Sequence, residues 1–402
     1  MNKFKYNLLS NAFDKKDIDE GIKVLNSQQI TIGKITKKFE NFFAKKIGSK
    51  YALMTNSGSS ANLMALSALT SPLSKKKIPI KGEVLLPAVC WSTSLWPIIQ
   101  NNLKPIFVDV ELDTFNIDLD QLEKKISKNT VAIMLVHVLG ISTNMKKLKK
   151  IIRKHKIELI EDTCESLGAK FDNKNLGTFG RFGTYSFYYS HQITSGEGGM
   201  ITCDSIEDYN ILKSIRSHGW SRDTIFQSKF SKKYPQIDNN FLFIGPGYNL
   251  RPTEIQGAIA FNQFKKLDKF IKLRKKNRSL IINALKKHKL WNNQFDFVKI
   301  EENINPSWFG LPFLINKDLM VNKSKFLKYL TINGIENRPI ISGNFLNQPA
   351  AKFYNFKYNP NDFINSNEIE KRGFFIGLHT KLINQKELRT LVNHLLNIGN
   401  LN

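Results

Sequence analysis

Short apolar stretches alternate with longer amphipathic stretches over the first half of the chain. The short stretches predict β-strands at 83–88, 104–110, 130–138 and 158–161. The amphipathic stretches between them predict helices at 119–126 and 145–155. Strands that alternate with helices are typical of a largely parallel sheet covered by helices. We therefore predict an α/β fold in which ligands bind beyond the carboxyl ends of the strands.

The remaining pattern predicts how the chain divides into domains. Two amphipathic segments near the start predict helices at 17–25 and 36–47, and one long helix is predicted at 253–287. After it, the pattern predicts a strand at 308–315, with Pro312 indicating a sheet edge, and helices at 323–333, 367–373 and 385–396. We predict a large domain at 1–250, a linking helix at 251–288 and a smaller α+β domain at 289–402.

The stretch 183–200 reads GTYSFYYSHQITSGEGGM. Its aromatic first half predicts a buried strand, and a second short strand is predicted at 200–203. Between them, the polar step Ser190-His191-Gln192 leads into a turn composed mostly of glycine. Such a break between two buried strands indicates a place where the backbone approaches a ligand closely.

Polar residues also follow several of the other predicted strands. Asn56-Ser57-Gly58 precedes a helix predicted at 60–69, which favours either an anion site or ordinary capping by serine. Trp91, His137 and Asp162 with Glu165 lie at other strand ends. Each of these residues has an ordinary interpretation as a core residue, a satisfied buried histidine or a helix cap.

Charge and composition narrow the class of function. The chain has 402 residues and a formal net charge of +26, which is compatible with nucleic-acid binding or with a small anionic substrate. The basic residues are spread over helix faces, opposite apolar residues such as Phe264, Leu267 and Ile271. We therefore favour a small anionic substrate and expect no nucleic-acid partner.

The same totals predict the location of the protein. The chain lacks a long apolar run and an apolar signal core near its start, so we expect no membrane association and a cytoplasmic protein. Its cysteines, at 90, 164 and 203, lie far apart beside apolar runs, which suits buried thiols better than disulfides or a zinc site.

Five motifs, taken together and in order, resemble the DegT/DnrJ/EryC1/StrS family of pyridoxal-phosphate sugar enzymes. They read NSGSSAN, LPAVCW, LIEDTCESLGA, GTFGRFGTYSFYYSHQITSGEGGM and GYNLRPTEIQ. The resemblance covers nearly the whole chain. It implies the aspartate-aminotransferase fold (fold type I), with a mostly parallel mixed sheet, a smaller C-terminal domain and pyridoxal or pyridoxamine 5′-phosphate as cofactor.

The resemblance also implies roles for individual residues. Gly58, Ser59 and Ser186 would bind the cofactor phosphate, and Asn249 would reach it from a second subunit of a homodimer with shared active sites. Trp91 would stack on the pyridine ring, and Asp162 would pair with the ring nitrogen, keeping it protonated so that the ring acts as an electron sink. Glu165 would lie near the phenolic oxygen of the cofactor. The residues implied near the substrate are His218, Arg222 and Arg338.

Position 191 departs from the common family pattern. Ordinary members have lysine where this chain has His191, and no lysine occurs between Lys174 and Lys213. Histidine cannot form the stable imine that lysine forms with the cofactor, but its imidazole can move protons near neutral pH. Two branches of the family carry histidine here, and both are sugar 3-dehydratases.

One of these branches holds an iron–sulfur cluster on four cysteines, a set that this chain with three cysteines cannot supply. The other branch has no cluster. Resemblance to it implies L-glutamate as amino donor and loss of the 3-hydroxyl of a nucleotide-linked 4-keto-6-deoxyhexose, GDP-4-keto-6-deoxy-D-mannose in that branch, for deoxysugar and O-antigen synthesis. Gln192 differs from the histidine usual there. The alternatives are a nucleotide-sugar aminotransferase and a non-catalytic cofactor-binding regulator.

Overall fold

The computed structural model describes residues 4–10 and 13–400. Its strands are β1 (Tyr51–Thr55), β2 (Glu83–Pro87), β3 (Lys104–Val108), β4 (Thr130–Val136), β5 (Glu158–Asp162), β6 (Lys170–Phe171), β7 (Lys174–Asn175), β8 (Phe182–Ser186), β9 (Gly199–Cys203), β10 (Phe295–Asp296), β11 (Ile304–Asn305), β12 (Gly310–Ile315), β13 (Asn337–Arg338) and β14 (Gly373–Gly377).

The α-helices connect and cover these strands. They are α1 (Lys15–Ser27), α2 (Lys34–Ile47), α3 (Gly58–Leu69), α4 (Ser92–Gln100), α5 (Leu119–Lys125), α6 (Met145–His155), α7 (Ile206–Arg216), α8 (Gln227–Lys233), α9 (Glu254–Lys265), α10 (Leu267–Lys287), α11 (Lys323–Ile332), α12 (Pro349–Phe353), α13 (Ile364–Arg372) and α14 (Gln385–Leu396). Within the described ranges, no helix is both long and apolar enough to cross a membrane.

A seven-stranded sheet forms the centre of the molecule, in the order β1-β9-β8-β5-β4-β2-β3. The pairs β2–β3, β2–β4, β4–β5 and β5–β8 are parallel, and β9 runs antiparallel to both of its neighbours. Its strands are buried along most of their length, which accounts for their continuous apolar runs. The predicted strand–helix alternation is therefore confirmed.

Several predicted element boundaries were wrong, and two of these errors are informative. The strand predicted in the aromatic first half of 183–200 ends at Ser186, and Tyr188 and Tyr189 are half exposed. Aromatic residues suit a strand and a ligand cavity equally well, so the pattern alone could not separate the two. The single helix predicted at 253–287 is divided at Lys266, which ends α9 and precedes α10.

The C-terminal part of the chain forms a second, antiparallel sheet in the order β10-β12-β14-β13. Strand β12 pairs with β14 along most of its length, whereas its pairing with β10 covers only Leu314 and Ile315. Pro312 thus lies where β10 no longer reaches, in agreement with the predicted edge position. The residues before β12 lie against the turn after β4, where the Ser307 N–H donates to the Gly140 carbonyl at 2.8 Å.

Candidate functional site

A cavity of about 680 Å³ lies at the carboxyl ends of the parallel strands of the central sheet, as the strand pattern predicted. The turns after these strands supply most of its wall, and Leu8 and the C-terminal part of the chain line the rest. Eight of the predicted site residues line it, namely Gly58, Ser59, Trp91, Asp162, Glu165, Ser186, His191 and Arg338.

The start of α3 lies in this wall and has the geometry that an anion site requires. The first N–H groups of a helix have no partner within the helix, and Ser57, Gly58 and Ser59 border the cavity at that point. Ser57 also caps the helix, because its Oγ accepts from the Ser60 N–H at 3.1 Å. Capping by Ser57 is therefore confirmed, and the anion site stays a prediction. Ser186, at the end of β8, borders the cavity beside it.

Close packing against Ser186 and Cys164 requires glycine at position 58. A Cβ atom at Gly58 would lie 2.6 Å from Ser186 Cβ and 2.8 Å from Cys164 Sγ. We expect Gly58→Ala to displace α3 from β8 and to lower the affinity for pyridoxal phosphate at least about tenfold. Equilibrium dialysis measures this, with Gly48→Ala as a variant that tests general destabilisation, since Gly48 ends α2 with open space around it.

Asp162 presents a carboxylate that three groups hold in place. Oδ2 accepts from Asn62 Nδ2 at 2.8 Å and from Ser94 Oγ at 2.7 Å, and Oδ1 accepts from the Cys164 N–H at 3.1 Å. Asn62 is itself fixed, because its Oδ1 accepts from Thr184 Oγ1 at 2.6 Å. The buried carboxylate is thus oriented in the cavity wall, where it can pair with a cationic ring nitrogen.

His191 lies in the same wall with one ring nitrogen engaged. Nδ1 is 2.7 Å from the Cys164 carbonyl oxygen, which can only accept, so Nδ1 carries the hydrogen and Nε2 has the free lone pair. The rings of Tyr188 and Phe309 meet the imidazole edge-on, with centroids 5.9 and 5.1 Å away. This tautomer makes Nε2 the atom that can accept a proton.

The surroundings of His191 keep it neutral. Burial lowers the pKa of His191 to about 4, the positive charge of Arg274 acts in the same direction, and the Cys164 carbonyl and Asp162 oppose the fall. A neutral imidazole is available as a base over the whole physiological pH range.

Glu165 has the opposite shift. Burial raises the pKa of Glu165 to about 7, with Asp162 adding to the rise and the Leu139 N–H, which donates to Oε2 at 3.0 Å, opposing it. Near neutral pH this carboxyl can therefore either donate or accept a hydrogen bond in the cavity.

This shift predicts a pH dependence of stability. Between about pH 4.5 and about pH 7 the folded protein holds a proton on Glu165 that the unfolded chain has released, so stability falls as pH rises through this range. Over this pH range the free energy of unfolding of the parent should fall by about 1–3 kcal/mol, nearer the lower figure because the Glu165 side chain borders an open cavity. Glu165→Gln should not show this fall. Urea unfolding of the parent and of Glu165→Gln at pH 5 and pH 7.5 measures the difference. An equal change in the free energy of unfolding of the two proteins would show that Glu165 does not cause it.

Gln192 faces away from the cavity. Its Nε2 donates to the Glu165 carbonyl and, at 3.1 Å, to the Ser307 carbonyl, and its side chain is buried. The residue thus fastens the His191 loop to the segment before β12. The departure from histidine at 192 affects the support of the site and leaves its wall unchanged.

Three predicted site residues form a separate cluster. Arg251 donates to Asn249 Oδ1 at 2.9 Å and lies 3.2 Å from His218 Nε2, and Arg222 lies over the Trp220 ring at 4.5 Å. None of these side chains borders the cavity of the described protomer. The cluster still lies beside the start of α3, because the Leu250 carbonyl accepts from the Asn56 N–H at 3.0 Å.

Sequence reasoning missed several residues of the site. Asn62 and Ser94 hold Asp162, Phe309 packs on His191, and Leu8 lines the cavity. Asn62 carried a signal, since it lies one helical turn after Gly58, on the same face of the helix. His137, which was considered as a site residue, is instead buried against Glu161 at 3.1 Å.

These residues fit pyridoxal phosphate. The glycine cradle at the start of α3 suits its phosphate, the fixed carboxylate of Asp162 suits its ring nitrogen, and the Trp91 side chain, 58% exposed at the cavity wall, offers an indole face for its ring. A central sheet of this order with such a wall defines a pyridoxal-phosphate enzyme of the aspartate-aminotransferase fold. The chain belongs to the DegT/DnrJ/EryC1/StrS aminotransferase family, which it matches over residues 11–395.

Similar proteins carry a more specific name. The GDP-4-keto-6-deoxy-D-mannose 3-dehydratase of Escherichia coli O55:H7 is 41% identical over 93% of this chain and 95% of its own length. A crystal structure of GDP-4-keto-6-deoxymannose-3-dehydratase with bound GDP-perosamine has a TM-score of 0.89 and 40% identity, covering 97% of this chain and 100% of its own. Another, with a trapped PLP-glutamate geminal diamine, has a TM-score of 0.88 and 39% identity at the same coverage.

Proposed function

We propose that the protein is a pyridoxal-phosphate-dependent 3-dehydratase that acts on GDP-4-keto-6-deoxy-D-mannose with L-glutamate as amino donor. The observation that carries this proposal is His191, which stands at the cavity wall where ordinary family members have lysine. The names of the similar proteins support the same substrate. The product is a 4-keto-3,6-dideoxy sugar for polysaccharide synthesis.

The residues of the cavity wall have different roles in this reaction. Gly58, Ser59 and Ser186 hold the cofactor phosphate, and Asp162 keeps the ring nitrogen protonated. Bound pyridoxal phosphate supplies an electron sink and carries the amino group of glutamate. Nε2 of His191 accepts a proton as a base. It then acts as an acid and donates that proton to the oxygen that leaves C3 of the sugar.

The overall reaction balances without a further reductant. Glutamate loses two electrons and becomes 2-oxoglutarate, and the sugar carbon C3 gains them as its C–O bond breaks. The hydroxyl leaves as water after protonation, and the amino nitrogen is released by hydrolysis as ammonia. His191 has no primary amine, and no lysine is among the described residues that line the cavity. The amino group therefore has no lysine-assisted route onto the sugar, which favours deoxygenation over amination.

The proposal includes a cytoplasmic homodimer with shared active sites. Its support is the Asn249 cluster, which lies beside the start of α3 yet borders no part of the cavity in its own protomer. Asn249 of one subunit would complete the phosphate site of the other, and His218 and Arg222 would approach its substrate. Mixing Asn249→Ala with His191→Asn subunits should restore about a quarter of the parent activity if sites are shared, because one site of each hybrid dimer then receives both intact residues.

The direct test is incubation with GDP-4-keto-6-deoxymannose and glutamate. We expect release of ammonia and 2-oxoglutarate in equal amounts. Mass spectrometry should show a sugar product about 16 mass units lighter than the substrate, because one oxygen is lost. A stable 4-amino sugar would instead identify an aminotransferase. Binding of the cofactor without either product would identify a non-catalytic protein.

A further inference from the structure

Arg274 is a buried guanidinium behind the His191 loop. The residue is 2% exposed, and it lies on α10, outside the wall of the cavity. Nη2 donates to the His191 carbonyl and Nη1 donates to the Trp308 carbonyl, both at 3.2 Å. Its Nε is buried without a hydrogen-bond partner.

No carboxylate among the described residues pairs with this cation. Burial alone lowers the pKa of Arg274 to about 10, with no acidic neighbour acting on it. Proteins rarely retain an unpaired buried charge, because its removal from water is costly. Two backbone hydrogen bonds could be supplied by neutral side chains, so the charge itself requires an explanation.

The contacts of Arg274 join two segments that meet at the imidazole. One is the His191 loop, and the other is Ser307-Trp308-Phe309, whose last ring packs on His191. The second segment is anchored in turn, since the Ser307 N–H donates to the Gly140 carbonyl at 2.8 Å and Gly140 leaves no room there for a Cβ. Arg274 thus ties the backbone of His191 to a fixed part of the molecule.

We propose that Arg274 is a positioning residue for His191, holding the backbone of the loop that carries the imidazole. Its positive charge also acts on the imidazole, where it disfavours a second positive charge and keeps Nε2 free to accept a proton. This inference rests on the proposed role of His191 as the base. Arg274 touches neither cofactor nor substrate.

Other groups around His191 bear on any measurement of its titration. Asp162 after β5 favours the protonated imidazole and Arg274 on α10 disfavours it. Tyr188 approaches from the loop itself. The other titratable groups that share the cavity are Cys164, Glu165, Glu197 and Arg338. Variants at 274 leave all of these groups unchanged, so a change in the titration can be assigned to the arginine.

The test compares Arg274→Gln, which keeps a donor and removes the charge, with Arg274→Lys, which keeps the charge. Arg278→Gln is the matched control, because Arg278 lies one turn along α10 and contacts the Trp308 ring and the Val298 carbonyl but not His191. We expect Arg274→Gln to lower kcat about 30-fold with KM for the nucleotide sugar within about twofold. Arg274→Lys should recover most of this loss, and Arg278→Gln should stay within about twofold of the parent.

The second readout needs no activity. NMR of the imidazoles in the ligand-free protein, with His191 identified by the signal lost in His191→Asn, measures its titration midpoint. Arg274→Gln should raise the midpoint by about half a pH unit or more, and Arg274→Lys should leave it unchanged. The acid limb of kcat/KM should move in the same direction.

The two readouts separate failure of this inference from failure of the proposed function. An unchanged midpoint in Arg274→Gln, or equal losses of kcat in the Gln and Lys variants, would overturn the role of Arg274. A raised midpoint in a protein whose parent form dehydrates no sugar would support the positioning of His191 and overturn the dehydratase proposal.

Discussion

Replacing His191 with asparagine should lower the rate of sugar dehydration at least about 1000-fold, because general acid–base catalysis by a placed imidazole contributes up to about 10⁴. Asparagine retains polarity and similar size but has no basic nitrogen. Retention of pyridoxal phosphate should change less than about threefold, since the phosphate and ring contacts lie on other residues. Ammonia release with saturating substrate measures the first quantity, and equilibrium dialysis measures the second.

His155→Asn is the control for this prediction. His155 ends α6, pairs with Glu123 at 3.5 Å and does not line the cavity. It should behave as the parent does. If His191→Asn dehydrates the substrate at a rate within about tenfold of the parent, His191 is not the catalytic base, because general acid–base catalysis contributes more than about tenfold.

His191→Lys provides an independent view of the same position. A lysine amine there can bond to the aldehyde of pyridoxal phosphate, so the protein should keep the cofactor through gel filtration and gain absorbance near the visible. Dehydration should be suppressed. Equal dehydration by the lysine variant and the parent would mean that another group moves the proton.

Asp162→Asn should produce the second large effect. Removing one partner of a buried charged pair costs about 3–5 kcal/mol, which corresponds to a loss of roughly 10²–10⁴-fold in kcat, in cofactor affinity or in both. The physical reason is that a neutral amide cannot hold the ring nitrogen in its protonated form. Steady-state rates at saturating pyridoxal phosphate separate the loss in kcat from the loss in affinity.

Asn62→Ala is the matched variant for Asp162. It keeps the carboxylate and removes one of the hydrogen bonds that orient it, so its effect should be about tenfold. Rates that rank parent, Asn62→Ala and Asp162→Asn in descending order agree with a role in which charge matters more than orientation. An Asp162→Asn protein with unchanged cofactor affinity and rate would show that the carboxylate faces no cationic group.

The strand pattern predicted the architecture because the strands are buried on both faces and separated by amphipathic helices. The site residues next to these strands were predictable for the same reason, since strand ends meet at one edge of the sheet. His191 was predictable as the departure from a lysine-bearing motif. The spatial approach of these residues, and the fit of their side chains, became visible only in the folded protein.

Arg274 shows why the remainder was missed. Helix α10 is rich in lysine and arginine, and its basic residues were assigned to a solvated face. Arg274, however, falls seven residues after Leu267 and three after Ile271, on the apolar side of the helix. A cation on that stripe was the available signal. Its partners are backbone carbonyls distant in sequence, which no local pattern specifies.

The segment around Tyr6 has a consequence for how the protein is made. The Tyr6 ring lies 4.3 Å from the His379 ring, its hydroxyl donates to the Gly377 carbonyl, and its backbone exchanges hydrogen bonds with Gly334 and Glu336. The ribosome releases Tyr6 early and its partners only after more than three hundred further residues. At an elongation rate of about 5–20 residues per second, this segment waits without its partners for roughly 15–75 seconds. During that interval it is open to chaperones and proteases, and Leu8, which lines the cavity, can bind Glu336 only after that residue has been made.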